Sequence, residues 1–499
     1  MENKDLNSFL SCNKGLMIAP AGHGKTTAIA DCLLQCSKET CHLILTHTHA
    51  GVAALRTKFK NRNVPMQKYQ IETIMGFAQQ LVLSFIGSSQ LPKENDNDFF
   101  SQIIYHCTSL LKSNAIQLIL KKSYASIFVD EYQDCTINQH HMILQLGNAL
   151  PLHLLGDPLQ GIFSFERTPL VNFETDLKDF SIFNTLNHPW RWEYTNKKLG
   201  ENILTLRESL EDNNPIDLTK IQCEGLIIKQ YKSLMNIHDN KFLCLLRTII
   251  KENIDNSFLI IYPSFHEKKK DGKTILRGTL SDRIALKAAI DFGYGFNLID
   301  AIDSKSFYTS ASKIDEYIKK CQDGNRINRI QWLYDIMVDM HFSKTEMNIW
   351  INRDKNSLIK KKKDKVLIGN QIKCLIEKYD NQPCLSSLMF FLEYMYDLTS
   401  KKCLYKDIYY EIRNSAKTAI CENIPLQKAV RQHKNQIRHI GRRIEGRCIG
   451  TTLLTKGLEF DTVLLFNADK FEDKKNFYVA ISRARKKLII LTNKNMVQF

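Results

Sequence analysis

Gly15-Leu-Met-Ile-Ala-Pro20-Ala-Gly-His-Gly-Lys25-Thr26 decides the fold. The apolar run Gly15–Pro20 reads as a buried strand, and Thr26–Cys36 carries a helical pattern. A strand, a glycine-bearing turn and a helix are the context a phosphate-binding loop requires. Gly22 and Gly24 let backbone N–H groups come close to phosphate oxygens without a Cβ in the way. The helix N-terminus adds partial positive charge. Lys25 can reach terminal phosphates, and the Thr26 hydroxyl can hold Mg²⁺. Ala19 stands where the usual pattern has its first glycine.

Further short apolar runs repeat the theme. They are His42–Thr46, Ser126–Val129, Leu152–Gly156, Phe258–Tyr262, Thr462–Phe466 and Leu488–Leu491. Continuous runs of this kind suit strands covered on both faces of a parallel sheet. Helical patterns such as Gly51–Lys60 lie between many of them, which predicts doubly wound α/β domains. The run Ser126–Val129 ends in Asp130-Glu131-Tyr-Gln-Asp134. Asp130 can hold Mg²⁺, and Glu131 can orient and deprotonate an attacking water.

The 499 residues include 69 Lys or Arg against 53 Asp or Glu, a formal net charge of +16. The excess fits an acidic partner, nucleic acid first. The length suggests about three domains, and the 43% apolar content excludes global disorder. Fourteen cysteines form no C-x-x-C pair, which argues against a zinc ribbon and for free thiols in a reducing compartment. Met1–Asn13 lacks the charged-then-apolar run of a signal peptide, and no apolar stretch is long enough for a bilayer. The expectation is a cytoplasmic protein without a membrane partner. Helix-like segments Ile330–His341, Leu385–Tyr396 and Ala416–His433 set Ala311–Gln436 apart as a mostly helical insertion. Gln90–Ser123 reads as a shorter, polar insertion.

Six further stretches occur in a fixed order: Leu45-Thr-His-Thr-His-Ala50, Thr73-Ile-Met-Gly-Phe77, Gly156-Asp157-Pro-Leu-Gln160-Gly-Ile-Phe163-Ser-Phe165, Leu186-Asn-His-Pro-Trp190-Arg191, Thr451-Thr-Leu-Leu-Thr-Lys456-Gly457-Leu-Glu459-Phe460-Asp461 and Tyr478-Val-Ala-Ile-Ser482-Arg483-Ala484. With the loop and Asp-Glu-x-x-Asp, this series resembles the motifs of superfamily 1A helicases, the UvrD/Rep group. The resemblance implies two RecA-like parallel-sheet domains: 1–89 with 124–222, and 223–310 with 437–499. It makes 90–123 a short insertion in the first and 311–436 a helical insertion in the second.

It also implies an ATP hydrolase with Mg²⁺ that translocates 3′→5′ on single-stranded or tailed duplex DNA. Ala21, Gly22, His23, Gly24, Lys25, Thr26, Thr27, Trp190, Gly457 and Glu459 would contact the nucleotide. Thr26 and Asp130 would hold the metal. Lys25, Asp130, Glu131, Gln160, Arg191 and Arg483 would act in hydrolysis, with Arg483 as an arginine finger from the second domain. His47, Thr48, Phe163 and Phe165 match DNA-contacting positions, although both phenylalanines also suit a core. Lys268–Lys270, Lys360–Lys363 and Arg442-Arg443 offer basic surface for a phosphate backbone.

Several positions depart from the pattern. No glutamine precedes the loop at the adenine-reading position, Thr27 replaces an arginine, Pro189 an asparagine and Leu453 a histidine. The short chain resembles the helicase-like subunit of the Gabija anti-phage system, which implies an ATPase–nuclease partner and leaves anti-phage defence and DNA repair both open as its role. The competing expectation is an ATPase that senses DNA state and activates a nuclease with little unwinding of its own.

Overall fold

A computed structural model describes residues 3–87, 99–163, 168–221, 223–231, 237–268, 272–291, 293–300, 305–324, 328–360, 365–399, 405–440 and 444–499. Phe165, Lys269, Lys270, Lys361–Lys363, Arg442 and Arg443 lie outside them, as does 90–98 of the first expected insertion. The chain divides into two compact units. One comprises Met1–Arg283, Phe292–Ile299 and Ile440–Phe499; the other comprises Ile284–Asp291 and Asp300–His439.

The first unit holds two six-stranded parallel sheets. The first sheet uses β1 (Lys14–Ile18), β2 (His42–Thr46), β3 (Tyr69–Thr73), β4 (Ile127–Val129), β5 (Leu152–Gly156) and β6 (Ser181–Phe183), in the order β3-β2-β4-β5-β1-β6. The second uses β7 (Leu226–Gln230), β8 (Phe258–Ile261), β9 (Asn297–Leu298), β10 (Arg447–Gly450), β11 (Phe460–Leu465) and β12 (Ala484–Thr492), in the order β9-β10-β8-β11-β12-β7. These are the two RecA-like domains the motifs imply.

Every residue of β2, β4, β5 and β8 is buried, as expected where helices cover both faces. The strands not foreseen are mostly at edges. β3, Tyr-Gln-Ile-Glu-Thr, is mixed and half-buried, β6 has three residues, and β7 is intermediate to exposed. Phe99–Leu110 and Asn114–Ser123 are helices that bury Phe99, Ile103, Cys107, Ile116 and Leu120 in the core shared with β2, β4 and β5. The described part of this stretch therefore covers the first sheet, with Phe100, Tyr105, Leu118 and Ile119 left exposed on its outer side.

The second unit is mainly helical, from Lys305–Gln322 to Leu426–Ile440. The single helical segment expected over Ala416–His433 is instead two helices, Asp407–Glu422 and Leu426–Ile440. Asn423 turns left-handed at φ +52° and Pro425 offers no N–H, so the first helix ends there. Among the described residues no helix is long and apolar enough to cross a membrane.

His153 sits in β5 with its ring 4.8 Å from Phe128 and 5.0 Å from Phe9, 1% exposed. Burial, helped by His42, pushes its pKa down to about 4. The unfolded imidazole takes a proton from about pH 6.5 and the folded one resists until about 4. Stability is therefore full above 6.5 and is lost as pH falls through that window, by about 2 kcal/mol at pH 5. Burial pushes Asp130 and Asp134 the opposite way, so the bare pH curve mixes signs. His153→Phe isolates the effect. The variant should gain stability over wild type at pH 5 relative to pH 8, measured by urea unfolding; an equal difference at both pH values would exclude it.

Candidate functional site

The phosphate-loop region carries two left-handed glycines, Gly22 at φ +75° and Gly24 at φ +89°. A Cβ on Gly22 would lie 2.7 Å from Arg191 Cβ, and one on Gly24 would lie 3.2 Å from Trp190 Cδ1. Both positions therefore need glycine for backbone angle and for the close approach of Trp190–Glu193. Arg191 N donates to Gly22 O at 3.1 Å, which fixes that short helix against the loop.

Around the loop lies a cleft of about 730 Å³. Lys25, Thr26, Asp130 and Glu131 line one wall, and Lys456, Gly457, Glu459 and Arg483 line the other. Trp190, half-exposed, closes one part of it. Lys25 Nζ donates to Ala19 O at 2.7 Å and Pro20 O at 3.2 Å. Thr26 Oγ1 donates to Asp130 Oδ2 at 3.1 Å, which sets a hydroxyl beside a carboxylate just past β4. Hard oxygen donors of this kind suit Mg²⁺. Glu131 stands in the left-handed region at φ +56°, and its N–H donates to Asp130 Oδ1 at 3.0 Å.

The two acids differ in charge preference. Burial above all, with Glu131 alongside, pushes the Asp130 carboxyl up to about 7. Burial also acts to raise Glu131, but Lys25, Lys456 and a hydrogen bond from Gln133 hold it below the usual range. Lys25 and Lys456 thus favour the ionised form of Glu131 over that of Asp130.

Arginines from both sides bridge the two walls. Arg483 is 1% exposed; its Nε donates to Val479 O at 2.9 Å and its Nη2 to Gln160 Oε1 at 3.4 Å. Burial, then the neighbouring Arg191, brings its pKa down to about 10, so it keeps its charge. Arg191 donates to Ser482 O at 2.6 Å and Glu459 Oε1 at 2.8 Å. Burial works to raise Glu459, and Arg191 outweighs it, holding that carboxyl low.

Thr27 and Ala21 also line the cleft, whereas the His23 ring turns inward, with Nδ1 on Ala21 O at 2.9 Å. His23 therefore brings only backbone to the loop surface. His47, Thr48 and Phe163 line the same cleft. Burial pushes His47 down to about 3, and its neutral ring meets Cys135 Sγ at 3.4 Å. Thr48 caps the helix His49–Asn61 by accepting from Gly51 N at 3.0 Å. Lys456 Nζ sits 4.8 Å from the Phe163 ring centre.

Several residues at the cleft had no role from sequence. Lys456 Nζ pairs with Asp134 at 2.5 Å across the two sheets, both side chains nearly fully buried. Tyr478 Oη accepts the Ala21 N–H at 3.0 Å. Arg207 pairs with Asp157 at 3.0 Å. Asp134, Lys456, Asp157 and Tyr478 stand inside the quoted motifs, so their positions were visible; Arg207 is in the helix Lys197–Glu211 with no motif around it. Among the described residues no cluster of three or more His, Cys, Asp or Glu forms a separate metal site.

Comparison with known proteins gives two family matches. The UvrD/REP helicase N-terminal domain matches residues 86–181, and the UvrD-like helicase C-terminal domain matches residues 419–495. An ATP-dependent helicase/nuclease subunit from Lactococcus lactis is 30% identical over 149 residues, 29% of this chain and 12% of that one. Its counterpart from Streptococcus mutans is 28% identical over 168 residues, 33% of this chain and 13% of that one. The ATP-dependent DNA helicase Rep of Buchnera aphidicola is 26% identical over 332 residues, 64% of this chain and 46% of that one. The chain thus spans less than half the length of each of these relatives.

Proposed function

We propose, for a chain that belongs to the UvrD-like helicases of superfamily 1A, that it hydrolyses ATP between its two parallel sheets and moves 3′→5′ on single-stranded DNA. The observation that carries this reading is the convergence of Lys25, Asp130 and Glu131 from one sheet with Arg483 from the other on one cleft.

Lys25 and the loop backbone hold the β- and γ-phosphates. Thr26 and Asp130 hold Mg²⁺, which when bound offsets negative charge on the phosphate oxygens. Glu131 accepts the proton of the attacking water. Arg191 and Arg483 face the charge that develops on the transferring phosphoryl group. Because Arg483 belongs to the second sheet, hydrolysis weakens what draws the two walls together, and the walls part. Gln160, held against Arg483, reports the phosphate to the strand-binding side. Trp190 stacks on adenine and Glu459 meets the ribose. Phe163, with His47 and Thr48, grips the strand by stacking and polar contact, at about 1–3 kcal/mol per stacked base.

A strand-displacement assay tests this directly. Duplexes with a 3′ tail should be unwound with ATP, and those with a 5′ tail should not. Failure on both, with turnover unaffected by DNA, removes the motor reading.

The Lactococcus relative's name, which joins helicase to nuclease, favours a second reading. In it the chain senses DNA state and activates a partner ATPase–nuclease, of the kind the Gabija resemblance implies. Co-purification with a neighbouring gene product, and little unwinding alone, would favour this reading; processive unwinding by the isolated chain would exclude it.

A further inference from the structure

The geometry points to Asp157 as the positioning residue that sets Gln133, behind the cleft, and Gln160, in its lining, in their working orientation, with Arg207 as its counter-ion. The inference rests on the ATPase reading above. Asp157 is fully buried, and both its carboxylate oxygens and its N–H are engaged. Its backbone N–H donates to Gln133 Oε1 at 2.9 Å. Its Oδ1 accepts from Leu159 N at 3.2 Å and Arg207 Nη2 at 3.0 Å. Its Oδ2 accepts from Gln160 Nε2 at 2.8 Å.

A primary amide has one accepting end and one donating end, so its neighbours decide which way it lies. A backbone N–H only donates, so Gln133 must offer Asp157 its oxygen. The Gln133 nitrogen is then turned to Glu131 Oε2. A carboxylate only accepts, so Gln160 must offer Asp157 its nitrogen. The Gln160 oxygen is then left to meet Arg483 Nη2 at 3.4 Å. Reversing either amide would set donor against donor or oxygen against oxygen. One aspartate therefore fixes a contact to the water-activating carboxylate and a contact to the arginine of the second sheet.

Neither Asp157 nor Arg207 lines the cleft, so both act through others. Arg207 also bonds Glu211 at 2.8 Å and lies 5.7 Å from the ring centre of Tyr478, whose hydroxyl takes the Ala21 N–H. The buried pair thus leans on the phosphate loop, the sensor glutamine and the finger at once.

Asp157→Asn separates orientation from bulk. Arg207 and Leu159 N still demand an acceptor, so the new oxygen stays with them and the new nitrogen faces Gln160. Gln160 must then reverse and present N–H₂ to Arg483. The backbone contact to Gln133 is retained. The kcat for ATP should fall about 10²-fold, the size expected when one preorganised electrostatic contact is lost, with KM within about threefold.

Unchanged kcat in Asp157→Asn overturns the proposal. So does a loss of kcat accompanied by a raised KM and a lowered melting temperature. Lys25→Ala keeps the two failures apart. Turnover that survives Lys25→Ala takes the nucleotide away from this cleft and removes this proposal with it. Turnover lost in Lys25→Ala but normal in Asp157→Asn overturns the Asp157 role alone.

Discussion

Lys25→Ala should lower ATP turnover by at least about 10³-fold while the protein stays folded and binds single-stranded DNA. The size follows from what the ammonium faces. Lys25 opens the helix Lys25–Gln35 directly after a left-handed glycine, so its Nζ is held at the mouth of the loop. The cleft's other lysines are Lys58, on the helix His49–Asn61, and Lys456, which belongs to the second wall and is engaged by Asp134 and Gln160 O. The stability cost is small by comparison. Among the described residues Lys25 donates to Ala19 O and Pro20 O, and carbonyls beside a wet cleft can be hydrated instead. Steady-state phosphate release with circular dichroism on the same sample checks both halves. Retained turnover would take the nucleotide away from this cleft.

Arg483→Ala should cost about 10³–10⁵ in kcat, the range for an arginine finger. The residue also stabilises the fold, because its guanidinium serves Val479 O, Leu458 O and Ser482 Oγ in a buried place. Leaving those groups unpaired costs about 1–3 kcal/mol each, so the alanine variant should melt earlier. Arg483→Lys guards against that confusion. Lysine keeps a charge but not the planar fork that reaches Gln160 and Leu458 O together, so folding should largely recover while kcat stays low. ATP binding, followed with a fluorescent analogue, should weaken far less than turnover in both variants. If Arg483→Lys turns over like wild type, charge in the fork is not what the second sheet contributes.

Much of this arrangement was legible because chemistry restricts it. The loop Ala19–Thr26 and the acids after β4 need particular residue types, so their spacing announces them. Buried central strands β2, β4, β5 and β8 announce themselves by unbroken apolar runs. Edge strands β3, β6 and β7 do not, since one side meets solvent and their residues are mixed. The break at Asn423–Pro425 was signalled by the proline but outweighed by helical periodicity on either side. Around the cleft, contacts distant in sequence were invisible. Asp134 to Lys456, Ala21 to Tyr478 and Asp157 to Arg207 join segments 322, 457 and 50 residues apart. Only the folded sheets bring them within reach, and no local pattern encodes the pairing.

The charge excess of +16 is also better divided. Lys25, Arg191 and Arg483 line the cleft, whereas Lys68 is turned inward, its Nζ on Leu33 O at 2.8 Å and Cys36 O at 2.7 Å. Lys434 is likewise buried, paired with Glu411 at 2.8 Å. A basic composition therefore overstates the charge available to a nucleic-acid backbone.

The most direct test is the steady-state ATP turnover of the wild-type chain with and without a single-stranded DNA oligonucleotide. In the proposed motor, turnover should rise at least about tenfold with DNA and vanish in Lys25→Ala. Turnover that is absent, or the same with and without DNA, would contradict a DNA-coupled motor.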